Sequence, residues 1–442
     1  MKKSVGLYFI VLSLLCLFAG MFFGNLASLQ YLLPDFLKSN FPFTKIRPLH
    51  VTLVMTWIFN GAAGCIYYFI PSLPKKREVN NTLAKLHLIA FIITGGIILY
   101  SYFTGQFGGK EYMEYPPWIA FFVLLSWILF AINYFLTCGF SFRETKVYRW
   151  MWATGIIFFI ITFGEAFLWT LPFFSHNIIR ETTVQWKAMG AMAGSWNMLI
   201  YGSGFYLMEK ISGNDSASTS KSSFFFYFLG LTNLMFNWGH HTYIVPAAPG
   251  IRITSYAISM TELLVIGSII WNWKKSLQEK SKYEHLIAIR FLKMADYWIF
   301  LNLILAIVIS IPGINFYTHG THITVAHAMG ATIGINSMIL LGAVFYIATE
   351  LAPEKIKQQS RRLIFGIRFF NTSLILFWIS LIATGLKKIS GEIASKDFST
   401  IMEMIHPWIL IFSIAGAGIF MGLTMILTTF PFSTFLKTNS RM

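Results

Sequence analysis

A chain of 442 residues would make about three soluble domains at roughly 150 residues each. However, 56% of it is hydrophobic, 17% aromatic and only 12% charged, about half the ~25% charge of a soluble globular protein. This composition excludes a soluble fold, disorder and collagen, and three cysteines, Cys16, Cys65 and Cys138, are too few for a disulfide-stapled scaffold and sit in apolar runs as small hydrophobes. The net charge of +16 does not indicate nucleic acid, because the 34 Lys and Arg stand in short clusters between apolar runs, which is a membrane pattern.

Apolar segments long enough to cross a hydrocarbon core of ~30 Å recur without a soluble insert. The sequence therefore predicts an all-α membrane protein of twelve transmembrane helices, with limits good to about 2 to 4 residues. They run near 5–27, 49–71, 82–103, 117–137, 147–172, 182–208, 223–248, 252–273, 291–312, 319–349, 363–386 and 404–430. The first run follows Met1-Lys2-Lys3 and exceeds the roughly 7 to 15 apolar residues of a signal peptide, so it reads as an uncleaved helix. With the N-terminus inside, 24 basic residues fall on the inner side and 10 on the outer, which puts both termini in the cytoplasm by the positive-inside rule. Polar stretches such as Gly213-Asn214-Asp215-Ser216 and Gln358-Gln359-Ser360 are inner turns. No linker marks a second domain, and residues 1–442 read as one.

Intramembrane ionisable residues are functional candidates by default, and several of the ten histidines fall at one depth. At 1.5 Å per residue His327 lies ~12 Å below the outer surface on helix 10, and His240 and His241 lie ~26 Å up helix 7. Glu262 is ~15 Å down helix 8, and His50 opens helix 2 at the outer face. On a helix the adjacent pair His240-His241 would be about 100° apart, so both imidazoles can reach one ion in the angle between them. His327 and Met329, about 200° apart, point to opposite flanks. Imidazole and thioether both serve as haem axial ligands; against this, most of the 19 methionines are core filler.

Three stretches together resemble the catalytic subunit of the haem-copper oxidase superfamily, closest to nitric oxide reductase, over nearly the whole chain. They are Arg47-Pro48-Leu49-His50 with the following Trp57, Gly61, Gly64 and Tyr67-Tyr68; Trp238-Gly239-His240-His241-Thr242-Tyr243; and Tyr317-Thr318-His319-Gly320-Thr321-His322 through Ala326-His327. The resemblance implies two haems, of b type, and one non-haem iron or copper. It makes His50 a low-spin haem ligand, His327 the high-spin haem ligand, and His240 and His241 ligands of the distal metal. His319 and His322 would contact propionates or water chains. The segment Gly109-Lys110-Glu111-Tyr112-Met113-Glu114 is similar to an acidic loop that supplies a calcium ligand, with Glu111 the candidate and Glu114 its neighbour in proton exchange.

Within the superfamily the oxidases need a redox tyrosine near the metal, whereas Leu234, Met235, Phe236 and Asn237 precede His240 here. The reductases instead carry a glutamate one helix later, and Glu262 follows His241 at the required spacing. There are two departures. Helix 6 has Met189 where the family has a third metal-binding histidine and Ala193 where the reductases add a glutamate, and Met329 stands where a second low-spin haem histidine would be. Ligation by His50 and Met329 would raise the haem potential relative to two histidines.

The expected function is reduction of nitric oxide to nitrous oxide, or of a related diatomic gas, with Glu262 tuning the metal or supplying protons. The alternatives are a terminal oxygen reductase and a catalytically silent electron-transfer or sensing paralogue. No Cys-x-x-Cys-His occurs, so electrons are expected from a membrane-anchored cytochrome c or another outer-face donor. The inner helix halves are nearly free of acids, whereas Glu111, Glu114, Glu165, Glu181, Lys187 and Glu262 fall in the outer half, so protons are expected from outside.

Overall fold

The computed structural model describes residues 5–73, 76–139, 146–243 and 248–437; the side chains of residues 237, 241, 242, 259–264, 280 and 437 are not among those described. Among the described residues there is no strand, only an isolated bridge between Lys110 and Met113. The main helices are α1 (Gly6–Leu32), α2 (Phe43–Phe69), α3 (Asn81–Phe103), α4 (Ala120–Cys138), α5 (Val147–Glu165), α6 (Ile178–Ser212), α7 (Lys221–Phe236) and α8 (Pro249–Ser276). They continue with α9 (Leu286–Ser310), α10 (His322–Leu351), α11 (Ser360–Ile393) and α12 (Phe398–Thr428).

Each helix overlaps one of the expected spans, although α7 ends at Phe236 where the expected span ran to 248. Among the described residues nine, α1 to α5 and α9 to α12, belong to spans long and apolar enough to cross a membrane by themselves. Two in the middle of the chain, α6 and α7, fall short for physical reasons. α6 carries Arg180, Glu181 and Lys187 in its first half and Gly202, Ser203 and Gly204 in its second. α7 has 16 residues, below the ~20 that 30 Å requires.

Helix starts follow from side-chain oxygens placed to accept orphan backbone N–H groups. Asn80 caps α3 through the N–H groups of Thr82 and Leu83, Asn177 caps α6 through those of Ile179 and Arg180, and Asp397 caps α12 through that of Thr400. Gly213, left-handed at φ 66°, ends α6. In apolar surroundings a hydroxyl needs a local partner; those of Thr94, Ser195, Ser203 and Thr384 bond carbonyls of the preceding turn. Cys65 and Cys138 are buried free thiols, and Cys16 is half-buried.

The chain forms two compact units. Unit 1 comprises Met1–Ser13, Thr56–His285 and Phe432–Met442; unit 2 comprises Leu14–Met55 and Leu286–Pro431. Within each, helices approach at Gly-x-x-x-Gly pairs, the close contact that small residues allow between membrane helices. In unit 2, Gly20 and Gly24 of α1 face Val54 and His50 of α2, Gly330 and Gly334 of α10 face Asn302 and Trp298 of α9, and Gly418 and Gly422 of α12 face Ser373 and Phe370 of α11. In unit 1, Gly190 and Gly194 of α6 face Trp238 and Leu234.

Candidate haem and metal sites

The four expected haem-side residues, His50, His319, His327 and Met329, all belong to unit 2. The ring of His50 lies on α1, its Nδ1 2.7 Å from the Gly20 carbonyl oxygen. The tautomer that donates this bond leaves the Nε2 lone pair for a metal, the arrangement in which ligating histidines are usually held. Gly24 completes the cradle: a Cβ there would stand 2.7 Å from Nδ1 and 2.8 Å from Cε1 of His50. Overpacking of this kind costs about 1–3 kcal/mol. If His50 is the low-spin haem ligand that the resemblance implies, Gly24→Ala is expected to turn the ring and to lower low-spin haem occupancy roughly ten-fold in purified protein, with membrane insertion intact. A full haem complement in that variant would show that the cradle does not position His50.

His327 and Met329 lie in the α-helical first part of α10, His322–Met329, so the expected opposed directions hold along the backbone. The Asn302 backbone lies beside the His327 ring, but no hydrogen bond of good geometry reaches Nδ1, which is buried. The helix then changes to a π-helical stretch, Gly330–Ser337, a rare geometry concentrated at functional sites. Asn302 Oδ1, opposite Gly330, is likewise buried without a partner. His319 lies outside the helix, contrary to the sequence-based limit at 319. Gly320 at φ 74° turns the chain and the Thr321 hydroxyl caps α10 through the Ile323 N–H, so the helix opens at His322. An imidazole with Nε2 available and a second with an unsatisfied buried nitrogen fit haem ligation.

The expected metal-side residues belong to unit 1. His240 and His241 do not continue an α-helix: α7 ends at Phe236 and a 3-10 turn, Asn237–Thr242, carries both. Neighbours on that turn are about 120° apart rather than 100°. The turn is clamped on two sides, by Gly190 against Trp238 and by Gly239 against Ile251 and Ser255 of α8. His240 is half-buried, and the side chains of His241 and Glu262 lie outside the described residues. Among the described residues no group of three His, Cys, Asp or Glu side chains converges on one point.

The loop before α4 is tight. The backbone N–H groups of Gly108 and Gly109 donate to the Glu114 carbonyl, Tyr112 is left-handed at φ 72°, and its N–H donates to Glu114 Oε1 at 3.2 Å. Glu111 is exposed at the tip. Burial, with Tyr102 and Glu114 beside it, pushes the Tyr115 phenol well above its ordinary value. Two ion pairs then run along the start of α6: Lys110 bonds Glu181 and lies over the Trp169 ring, and Lys187 bonds Glu165 of α5. The pairing of these residues has no signal in the sequence.

A second feature absent from the sequence-based expectations is His87, fully buried on α3 between Phe9 and Phe130, with Nδ1 3.2 Å from the Tyr67 hydroxyl. Its only sequence signal is a histidine inside an apolar run.

Comparison with known proteins agrees with this architecture. Residues 4–418 match the family described as cytochrome c and quinol oxidase polypeptide I. The chain belongs to that family and so to the haem-copper oxidase superfamily. A nitric oxide reductase subunit of Stutzerimonas stutzeri is 22% identical over 468 residues, covering 97% of this chain and 94% of that protein. The cytochrome c oxidase subunit 1 homolog of Agrobacterium tumefaciens strain T37 is 22% identical over 364 residues, 75% of this chain and 64% of that one. A haem-copper terminal oxidase dimer solved by cryo-electron microscopy contains a chain of the same fold, with a TM-score of 0.77 at 13% identity over 99% of this chain and 84% of its own.

Proposed function

We propose that this chain is the haem-carrying subunit of a nitric oxide reductase in a bacterial cytoplasmic membrane, with residues 1–442 acting as one catalytic domain. The observation that carries the reading is the similarity to the Stutzerimonas stutzeri nitric oxide reductase protein across almost the entire length of both chains. The spacing of Glu262 after the histidine pair supports it.

In this reading His50 and Met329 hold a low-spin haem, His327 holds a high-spin haem, and His240 with His241 holds the non-haem metal. When bound, these groups supply one-electron chemistry and sites for the gas. The net reaction joins two nitric oxide molecules, two protons and two electrons into nitrous oxide and water. The chain's own task is to orient and to protonate. The Gly20 carbonyl fixes the His50 tautomer, Glu262 delivers protons as a carboxyl poised near the working pH, and the Lys110–Glu181 and Lys187–Glu165 pairs hold charge along α6. Glu111 is the calcium candidate, and His319 the propionate contact. Electrons come from a membrane-anchored cytochrome c or a similar donor on the non-cytoplasmic face.

The absence of histidine and glutamate at residues 189 and 193 favours one second reading, a catalytically silent electron-transfer or sensing paralogue. Anaerobic turnover separates the two. The purified complex with a reduced donor is expected to convert nitric oxide to nitrous oxide at two to one, and to do so faster than it consumes oxygen. Oxygen consumption without nitrous oxide would make it a terminal oxidase, and neither activity would make it a silent paralogue.

A further inference from the structure

Asn302 is buried on α9, 1% exposed, and its carboxamide Oδ1 has no hydrogen-bond partner. No bond through that oxygen pins the side chain. What it meets is the backbone of Gly330 on α10: a Cβ added there would run into Oδ1 and lie 2.7 Å from Cγ and 3.2 Å from Cβ of Asn302. The carboxamide thus fills a notch that a glycine at 330 leaves open.

The same residue reaches His327 with its main chain. The Asn302 backbone lies beside the imidazole, and His327 stands three residues before Gly330, one turn back on the same side of α10. The acceptor a backbone offers an imidazole N–H is its carbonyl, which keeps a second lone pair beyond the one used in the helix ladder. Asn302 therefore spans two successive positions of α10, its main chain at 327 and its carboxamide at 330. Contacts one turn further on fix the register. Trp298 packs on Gly334, where an added Cβ would lie 2.9 Å from the Trp298 Cβ. The Trp298 indole donates to Asn371 Oδ1 of α11 at 3.1 Å, and Asn371 Nδ2 donates to the Ile367 carbonyl at 2.9 Å. Sliding α9 along α10 would expel Asn302 and Trp298 from their glycines.

His327 is half-buried overall while its Nδ1 is fully buried, so the ring turns that edge inward. Hydrogen bonds at working sites are often misaligned before the bound state forms and tighten in it. Resting on the reading that His327 ligates haem iron, we infer that Asn302 is the positioning residue of that ligand: its carboxamide, wedged on Gly330, holds its own carbonyl where the His327 Nδ1–H donates to it. Such a partner fixes the ring and raises the basicity of the ligating nitrogen. Asn302 acts only through His327.

The test reads the iron–imidazole bond and needs no turnover. Resonance Raman spectra of the ferrous, gas-free wild-type protein are expected to show an iron–histidine stretching band from the high-spin haem. In Asn302→Ala that band is expected to move to lower frequency with both haems still bound, and the midpoint potential of the high-spin haem to rise, because a less basic imidazole stabilises ferric iron less. Asn302→Leu refills the notch with a side chain of similar branched shape and is expected to restore the wild-type band. Gly330→Ala is expected to displace the band by driving the carboxamide out. In Asn302→Ala/Gly330→Ala only the 3.2 Å contact with the residue 302 Cβ remains, so the shift is expected to be smaller than the sum of the two single shifts. An unmoved band in Asn302→Ala, the same downshift in Asn302→Leu, or additive shifts in the double variant would overturn the inference. If Asn302→Ala does not accumulate in membranes, an unmoved band in Gly330→Ala overturns it. The underlying reading fails differently: an iron–histidine band that survives in His327→Ala removes the haem assignment, whereas a band lost in His327→Ala and unmoved in Asn302→Ala removes this inference alone.

Discussion

Replacing His327 by alanine is expected to abolish gas reduction and to remove one haem of the two while leaving the other at full occupancy. The imidazole sits on the α-helical part of α10, one residue short of Ala328-Met329 and three short of the π-helical stretch that starts at Gly330. Its buried Nδ1 has no hydrogen bond of good geometry. Loss of an outer-shell partner typically weakens a metal site 10- to 100-fold, as an order of magnitude. In the proposed reading His327 is the protein ligand of the high-spin haem, so its loss is expected to exceed that, leaving turnover at background. The helix should survive, because Gly330 and Gly334 still seat α10 on Asn302 and Trp298 and the Trp298 indole still donates to Asn371 Oδ1 at 3.1 Å. An absorption spectrum with two intact haems in His327→Ala would refute the assignment.

Proton uptake is the other property on which a large effect is expected. Acidic and basic groups of unit 1 cluster between the loop at 108–115 and the first half of α6: Glu111, Glu114, Glu181 with Lys110, and Glu165 with Lys187. In the proposed orientation, which follows the positive-inside rule, this end is non-cytoplasmic. If catalysis draws its protons there and electrons arrive on the same face, turnover builds little membrane potential. In vesicles with a reduced external donor, the exterior should turn alkaline during turnover. A charge separation that an uncoupler collapses would place proton uptake on the cytoplasmic side and move the reading toward the oxygen reductases. Hydroxyl groups such as Tyr206 on Ser72, 2.5 Å apart, and Tyr227 on Thr154, 2.8 Å apart, show that unit 1 has polar contacts elsewhere, but none of these residues is an acid.

Much of the fold is legible in the sequence because it rests on residue type and period. Long apolar runs fix helices irrespective of context, and imidazoles within them stand out. What escapes depends on partners. Lys110 and Glu181 are 71 residues apart in the chain and Lys187 and Glu165 are 22 apart, so no local pattern announces the pairs. The end of α7 at Phe236 and the 3-10 turn that follows accompany the packing of Trp238 on Gly190 and of Gly239 on Ile251, contacts between residues far apart in the chain or on different elements. The π-helical stretch after Met329 is equally silent in sequence. One signal does stand in the sequence: Gly20-x-x-x-Gly24 and its three counterparts mark the close helix contacts, including the cradle of His50.

In the proposed reading unit 2 holds two different haems, one closed by a second axial ligand and one open to gas. A haem determination on the purified chain, with reduced absorption spectra before and after nitric oxide, tests this at its root. Two b-type haems per chain are expected, one whose bands move on adding nitric oxide and one whose bands stay fixed. A single haem, or two that both ignore nitric oxide, would contradict the reading.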